Sequence, residues 1–266
     1  MKNALLVPTD FSENAWQATL YAAQLATRYQ WGIHLLHAYQ PMTSAFAGQQ
    51  FNEEMRGHAH NKAVGEIDEV AARLAAQFPQ LSITSACVQG TLGNVLPDLV
   101  TSENTKFVVM GTRGASGLKS IVLGSNTFDV IQRSPVGVLA VPESYRGFKL
   151  DKIGVLSNFK ESELEVLQTF ISRTSASLEV VLLHVDEPGK TTDNEDADYW
   201  ADTVRQRSGG EKISYRVDQA SARLDVVASI PKCIEHLTEE ENIDLLLVSY
   251  NRRSFFKQLF SKNLTR

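Results

Sequence analysis

One stretch constrains this chain more than any other: Gly111-Thr112-Arg113-Gly114-Ala115-Ser116-Gly117-Leu118-Lys119-Ser120-Ile121-Val122-Leu123-Gly124-Ser125. It follows the apolar run Phe107-Val108-Val109-Met110, which reads as a buried strand. Beyond it, Gly124-Ser125-Asn126-Thr127 opens a segment carrying Phe128, Val130 and Ile131 that Pro135 stops, so a helix is predicted there. A strand, a glycine-rich loop and a helix start present free N–H groups and a positive dipole end to an anion. The glycines let backbone approach a ligand closely. Two common phosphate loops do not fit. A P-loop needs Gly-Lys-[Ser/Thr] in succession, and Leu118 separates Gly117 from Lys119. A dinucleotide fingerprint needs G-x-G-x-x-G, and this loop runs G-x-x-G-x-x-G. What remains is G-x2-G-x9-G-[S/T], carried by Gly111, Gly114, Gly124 and Ser125. A glycine-rich strand-to-helix connection without a ligand is the plainer alternative.

The rest of the chain alternates strands and helices. A length of 266 residues suggests about two domains. The first strand, Ala4-Leu5-Leu6-Val7, ends at Pro8-Thr9-Asp10, and a helix follows with Ser12 or Asp10 as its cap and Gly32 just past its end. A strand over 33–38, a loop over 41–48, a long polar-faced helix over 51–78 and a strand over 81–88 come next. Gly90-Thr91-Leu92-Gly93 turns into a helix from Asn94 to about Ser102, and a fifth strand covers 137–141. Such alternation predicts an α/β fold, a parallel sheet covered on both faces. The right-handed crossover rule favours the doubly wound order 3-2-1-4-5. Its switch point lies between the first and fourth strands, where ligands bind beyond the carboxyl ends. Asp10 and Gly111 end those two strands, so a carboxylate and a phosphate loop flank one crevice.

The pattern then repeats. Leu5-Leu6-Val7-Pro8-Thr9-Asp10-Phe11-Ser12-Glu13 lines up with Ile153-Gly154-Val155-Leu156-Ser157-Asn158-Phe159-Lys160-Glu161. Leu35-Leu36-His37-Ala38 lines up with Leu182-Leu183-His184-Val185, and Phe107-Val108-Val109-Met110-Gly111 with Leu245-Leu246-Leu247-Val248-Ser249. A repeat this long is a duplicated domain. The boundary is expected near Tyr145-Arg146-Gly147-Phe148, giving domains 1–145 and 149–266.

Over nearly its whole length the chain resembles the tandem universal stress proteins, which carry two Usp domains in one chain. Pro8-Thr9-Asp10-Phe11-Ser12, Leu36-His37 and the glycine loop carry the resemblance. It implies an adenine nucleotide alpha hydrolase-like fold and a stress-response regulator that binds ATP or AMP in its first half. Pro8, Thr9 and Asp10 would then lie on the ribose or adenine side, and the backbone of Ala38 would meet adenine. Gly111, Arg113, Gly114, Gly124, Ser125 and Asn126 would hold phosphates and ribose, with Gly90 a turn glycine nearby. No metal site of its own is expected, although Asp10 could hold Mg²⁺ against phosphates. In the second half Asn158 stands for Asp10, Ser249 for Gly111, Arg252 for Gly114 and Lys262 for Gly124, so that half is expected to have lost the site, the alternative being a site remodelled around Arg252, Arg253 and Lys262. It is also expected to lack the final helix and fifth strand, which leaves the 136–141 strand to pair with a second copy as a homodimer.

Other features exclude more than they assign. The formal net charge of -5 argues against nucleic acid or anionic lipid as partner. Cys87 and Cys233 make neither a disulfide framework nor a Cys-x-x-Cys pair and read as small residues in a reducing compartment. No signal-peptide core follows Met1, and no apolar run reaches transmembrane length, so a cytoplasmic protein with no membrane contact is expected. His58 and His60, two apart on a helix, do not share a face as metal ligands would. His37 and His184 suit packing or a bond to a neighbouring loop, Trp16 and Trp31 suit packing, and the acidic stretch 191–198 reads as a mobile loop. The competing function classes are a nucleotide-independent interaction scaffold with an unidentified protein partner, and an enzyme. Nothing near the loop is a convincing base, so slow ATP hydrolysis is the most expected of it.

Overall fold

The computed structural model describes residues 3–42, 44, 46, 48–101, 103–112, 123–145, 147–174, 178–186, 189, 191–209, 212–219 and 226–250. The chain divides into two compact units, Met1–Phe148 and Lys149–Arg266.

The first unit runs β1 (Ala4–Pro8), α1 (Glu13–Tyr29), β2 (Gly32–Tyr39), α2 (Gln49–Gln77), β3 (Ile83–Gln89), α3 (Leu92–Leu99), β4 (Thr105–Thr112), α4 (Ser125–Arg133) and β5 (Val138–Pro142). Every paired strand is parallel, in the order β3-β2-β1-β4-β5 that the alternation predicts. Successive strand residues face opposite sides, so each apolar run feeds two layers. Leu6, Leu36, Val108 and Met110 form one core with Leu96 of α3 and Val100 just past it, and with Val130 of α4 and Val136 just past it. On the other side α1 packs over β1, β4 and β5, and α2 over β2 and β3. Ala18, Ala22, Ala23 and Ala26 are fully buried on α1, and their small side chains let the helix sit close to the sheet. Polar α2 buries only Ala63, Ile67 and Leu74, and Arg73 places its guanidinium 3.8 Å from the Trp16 ring centre. Trp16 and Trp31 are both buried packing residues.

Most element ends lie within two residues of expectation, and the ends of α1 and α3 differ in how they are capped. Gly32 does not cap α1; Gln30 takes the left-handed C-cap conformation (φ 56) and Gly32 pairs within the sheet opposite Ala4. α3 begins at Leu92 rather than Asn94, since the Thr91 carbonyl already accepts from the Asn94 and Val95 N–H groups, and it ends at Leu99.

The second unit runs β6 (Lys152–Leu156), α5 (Glu161–Thr174), β7 (Glu179–Asp186), α6 (Asn194–Ser208), β8 (Ile213–Gln219), α7 (Val226–Glu240) and β9 (Leu245–Leu247). Its parallel sheet, β8-β7-β6-β9, repeats the arrangement β3-β2-β1-β4. Leu156, Val181, Leu183 and Val185 pack with Ile230, Ile234 and Leu237. The stretch expected to be a loop instead starts a helix. Asp193 accepts from the Glu195 N–H at 3.0 Å as N-cap, and Glu195 and Asp196 sit in the first turn, where the helix dipole favours acids. The expectation that a final helix and fifth strand are missing bears on residues after 250, which lie outside the described ones.

The start of β6 is pinned from below. Asp244 Oδ2 accepts from the N–H groups of Asp151 (2.8 Å) and Lys152 (2.9 Å). The Lys152 ammonium lies 2.9 Å from Glu241 and 3.0 Å from Glu179, and Arg216 also bonds Glu241. Cys87 and Cys233 are free and half-buried. Among the described residues no helix is long and apolar enough to cross a membrane.

Candidate functional site

The strand order reverses between β1 and β4, which opens a crevice beyond their carboxyl ends. On the β1 side the chain makes a tight strand-to-helix turn. Phe11 sits at φ 66, a left-handed conformation that costs a bulky residue about 1–2 kcal/mol. Three contacts hold it there. Thr9 Oγ1 accepts from the Phe11 N–H at 3.0 Å. The Phe11 ring lies against His37, with ring centres 4.3 Å apart. His37 Nδ1 in turn stands 2.8 Å from the Thr9 carbonyl oxygen, and a carbonyl only accepts, so that nitrogen carries a proton.

Asp10 is exposed, and its carboxylate folds back on the helix start. Oδ1 accepts from the Ser12 N–H at 3.1 Å and from the Ser12 hydroxyl at 2.6 Å, while Ser12 Oγ caps α1 by accepting from the Ala15 N–H at 3.2 Å. Pro8 and Thr9 are buried beside it. Ala38 lies half-buried on the adjoining strand β2, in register with Val88 of β3. Gly90 has φ 140, its N–H donates to the Tyr39 carbonyl at 2.9 Å, and a Cβ there would stand 2.9 Å from Val95 Cγ1. That turn admits glycine alone without strain.

On the β4 side Gly111 abuts protein. A Cβ on Gly111 would lie 2.1 Å from Asn14 Oδ1. Asn14 was missed in the sequence, and its Nδ2 is buried without a hydrogen-bond partner. Thr127 Oγ1 donates to the Gly111 carbonyl at 2.9 Å and so ties the first turn of α4 to the end of β4. Gly124 is the α4 N-cap, with ordinary extended angles (φ -66, ψ 157) and no side-chain cap. The next two residues, Ser125 and Asn126, are exposed. Their amides belong to the group that a helix leaves unpaired at its start. The structure thus puts Thr9 and Asp10 at and just past the end of β1, Gly111 near the end of β4, and Gly124, Ser125 and Asn126 at the start of α4. Arg113 and Gly114 lie outside the described residues. Among the described residues no group of three or more His, Cys, Asp or Glu could hold a metal ion.

The turn recurs in the second unit without the glycines. Phe159 has φ 59, Ser157 Oγ accepts its N–H at 3.2 Å, and His184 Nδ1 lies 2.7 Å from the Ser157 carbonyl. The turn geometry is therefore a property of the fold in both units. Asp186, near the end of this histidine's strand, accepts from the Thr192 N–H (3.0 Å) and hydroxyl (2.6 Å). Burial pushes its carboxyl up, but the two Thr192 bonds and His184 outweigh that, and the net direction is down.

Comparison with known proteins follows the same lines. The universal stress protein family model matches residues 1–142. A Thermus aquaticus protein described as "Universal stress protein in QAH/OAS sulfhydrylase 3'region" is 27% identical over 141 residues, covering 53% of this chain and 99% of its own. A solved universal stress protein from Archaeoglobus fulgidus DSM 4304 covers 93% of this chain and 87% of its own, with a TM-score of 0.68 and 22% identity, a likeness of fold. Another solved universal stress protein, described as in complex with cAMP, covers 54% of this chain and 99% of its own at 23% identity and a TM-score of 0.39. The family model spans more than half of the chain, on the unit with the Thr9–Asp10 turn and the β4–α4 glycines, and the chain belongs to the universal stress protein family.

Proposed function

We propose that the first unit binds one adenine nucleotide, ATP or AMP, in the crevice between β1 and β4, and that the protein acts as a stress-response regulator through that site. The observation that carries this reading is the glycine-capped start of α4. Its first-turn amides lack a side-chain cap, and Thr127 holds them against the end of β4. An anion is the natural partner for such a helix start. In this reading Gly111, Arg113, Gly114, Gly124, Ser125 and Asn126 take the phosphates and ribose. Asp10 leaves Ser12 to meet the ribose or a Mg²⁺ ion, Pro8 and Thr9 shape the pocket wall, and the Ala38 backbone meets adenine. Hydrogen bonds to charged groups contribute about 1.5–3 kcal/mol each. A few of them support micromolar binding after the cost of association. Residues 1–145 are then a nucleotide-binding Usp domain in a cytoplasmic protein, and residues 149–266 a Usp domain whose own site is lost.

Calorimetry with ATP, ADP and AMP tests this. One site per chain is expected, abolished by Gly114→Arg with Gly124→Lys, the residues of the second half. Two sites would contradict the lost second site. No heat and no thermal shift at millimolar nucleotide would end the reading in favour of a nucleotide-independent scaffold.

The same reading makes the protein a homodimer through β5. That strand is the sheet edge, with Leu139 and Val141 buried and Val138 half-buried. Unpaired edges are usually covered. Light scattering should show a dimer that Val138→Lys weakens, and a monomer would refute the pairing.

A further inference from the structure

One carboxylate sits where the second unit's turn gathers its donors. Glu163, in the first turn of α5, is only 4% exposed. Its Oε2 accepts from the Ser157 hydroxyl at 2.9 Å and the Lys160 N–H at 3.1 Å, and its Oε1 accepts from the Asn158 N–H at 2.9 Å. The bond to Lys160, just ahead of the helix, is half of a capping box. The bonds to Ser157 and Asn158 reach further, past the helix end into the strand-to-helix turn. Ala15 holds the matching place in the first unit. There Ser12 caps its own helix and Asp10 takes the Ser12 N–H. Among the described residues no group accepts from the Asp10 N–H, the counterpart of the Asn158 N–H.

We infer that Glu163 is a resident anion that completes the second unit's turn from within and closes that turn to outside ligands. The first unit keeps a donor open at Asp10 for a ligand acceptor. The clause about the first unit rests on the nucleotide reading, and the clause about Glu163 does not.

Amide hydrogen exchange of the full chain, read by NMR, separates the two. The Asn158 and Lys160 amides should exchange slowly and stay unchanged when ATP is added. The Asp10 amide should exchange fast and slow down at saturating ATP. In Glu163→Ala the Asn158 amide should exchange at least about tenfold faster, the size of one lost charged hydrogen bond. Sodium formate should restore its protection, and sodium chloride at equal ionic strength should not. If the alanine variant does not fold, Glu163→Gln serves instead. It keeps the volume and one carbonyl acceptor but sets its NH₂ group against either the Asn158 or the Lys160 N–H, so one of these two amides should lose protection, without formate rescue. An unchanged Asn158 rate in the alanine variant, unchanged rates at both Asn158 and Lys160 in the glutamine variant, or ATP-dependent protection at Asn158 overturns the inference. Absence of any ATP effect at Asp10 overturns the clause about the first unit, calorimetry decides separately whether nucleotide binds at all, and the role of Glu163 is decided by the variants.

Discussion

The amide of Asn14 fills the space that a Cβ on Gly111 would take, with Oδ1 2.1 Å and Cγ 2.6 Å from that point and the Asn14 carbonyl at 2.9 Å. A glycine read as an opening for ligand therefore also serves packing between α1 and β4. Gly111→Ala should destabilise the first unit by about 1–3 kcal/mol through overpacking. Trp16 and Trp31 fluorescence in urea, in a Trp200→Phe background, would report it. Adding Asn14→Ala should recover most of the loss. An equal loss in the double variant would place the clash on the backbone carbonyl instead. In the second half both members change together, to Ser162 and Ser249.

Gly124 is a different case, because its angles suit any residue. Gly124→Ala should change stability by less than about 1 kcal/mol, as at other conformationally compatible glycines. Nucleotide affinity should still fall at least tenfold, since about 1.4 kcal/mol of lost phosphate contact suffices. Calorimetry alongside thermal unfolding separates these effects. Unchanged affinity would show that no ligand approaches this backbone.

Much of the architecture was legible because buried parallel strands leave continuous apolar runs, such as Phe107-Val108-Val109-Met110, between helical segments. The order β3-β2-β1-β4-β5 followed from that alternation and handedness. Polar α6 escaped notice because its acidic start reads equally as a loop, and only the cap at Asp193 distinguishes them. Asn14 left no sequence signal, since its role arises from a contact with Gly111 across the fold. Glu163 did leave one, three residues after Lys160 in capping-box spacing, but its bonds to Ser157 and Asn158 required the turn itself.

The Thr9 hydroxyl matters because it holds Phe11 in a costly conformation. Thr9→Val keeps shape and loses the acceptor, so it should cost about 1–2 kcal/mol. Thr9→Ser should retain most of the stability. Thermal unfolding of the first unit is the measurement, and equal melting points for all three proteins would show that the His37 contact alone fixes the turn.

The cluster under β6 sets a pH window. The hydrogen bond from Lys152 holds the Glu241 carboxyl below its ordinary range, burial opposes this, and Arg216 adds to it. A lowered carboxyl contributes stability that is present above its unfolded value and lost as pH falls through the folded one. The hydrogen bond to Glu241 raises Lys152, burial opposes this, and Glu179 adds to the rise. That stability is fully present below the ordinary lysine value and lost as pH rises through the raised one. The second unit should therefore weaken below about pH 4.5 and above about pH 10.5. Glu241→Gln should flatten the acid arm and cost on the order of 1 kcal/mol at neutral pH, because water still reaches these side chains. Trp200 fluorescence across pH would report both arms.

The clasp of Asp244 on Asp151 and Lys152 joins residues 93 and 92 positions apart. During synthesis, the first strand of the second unit stays unclamped on one side until that aspartate leaves the ribosome. The first sheet is complete once Pro142 has emerged. The apolar core of β6, from Ile153 to Leu156, thus stays open on one side to holding chaperones while the rest of its sheet is being made.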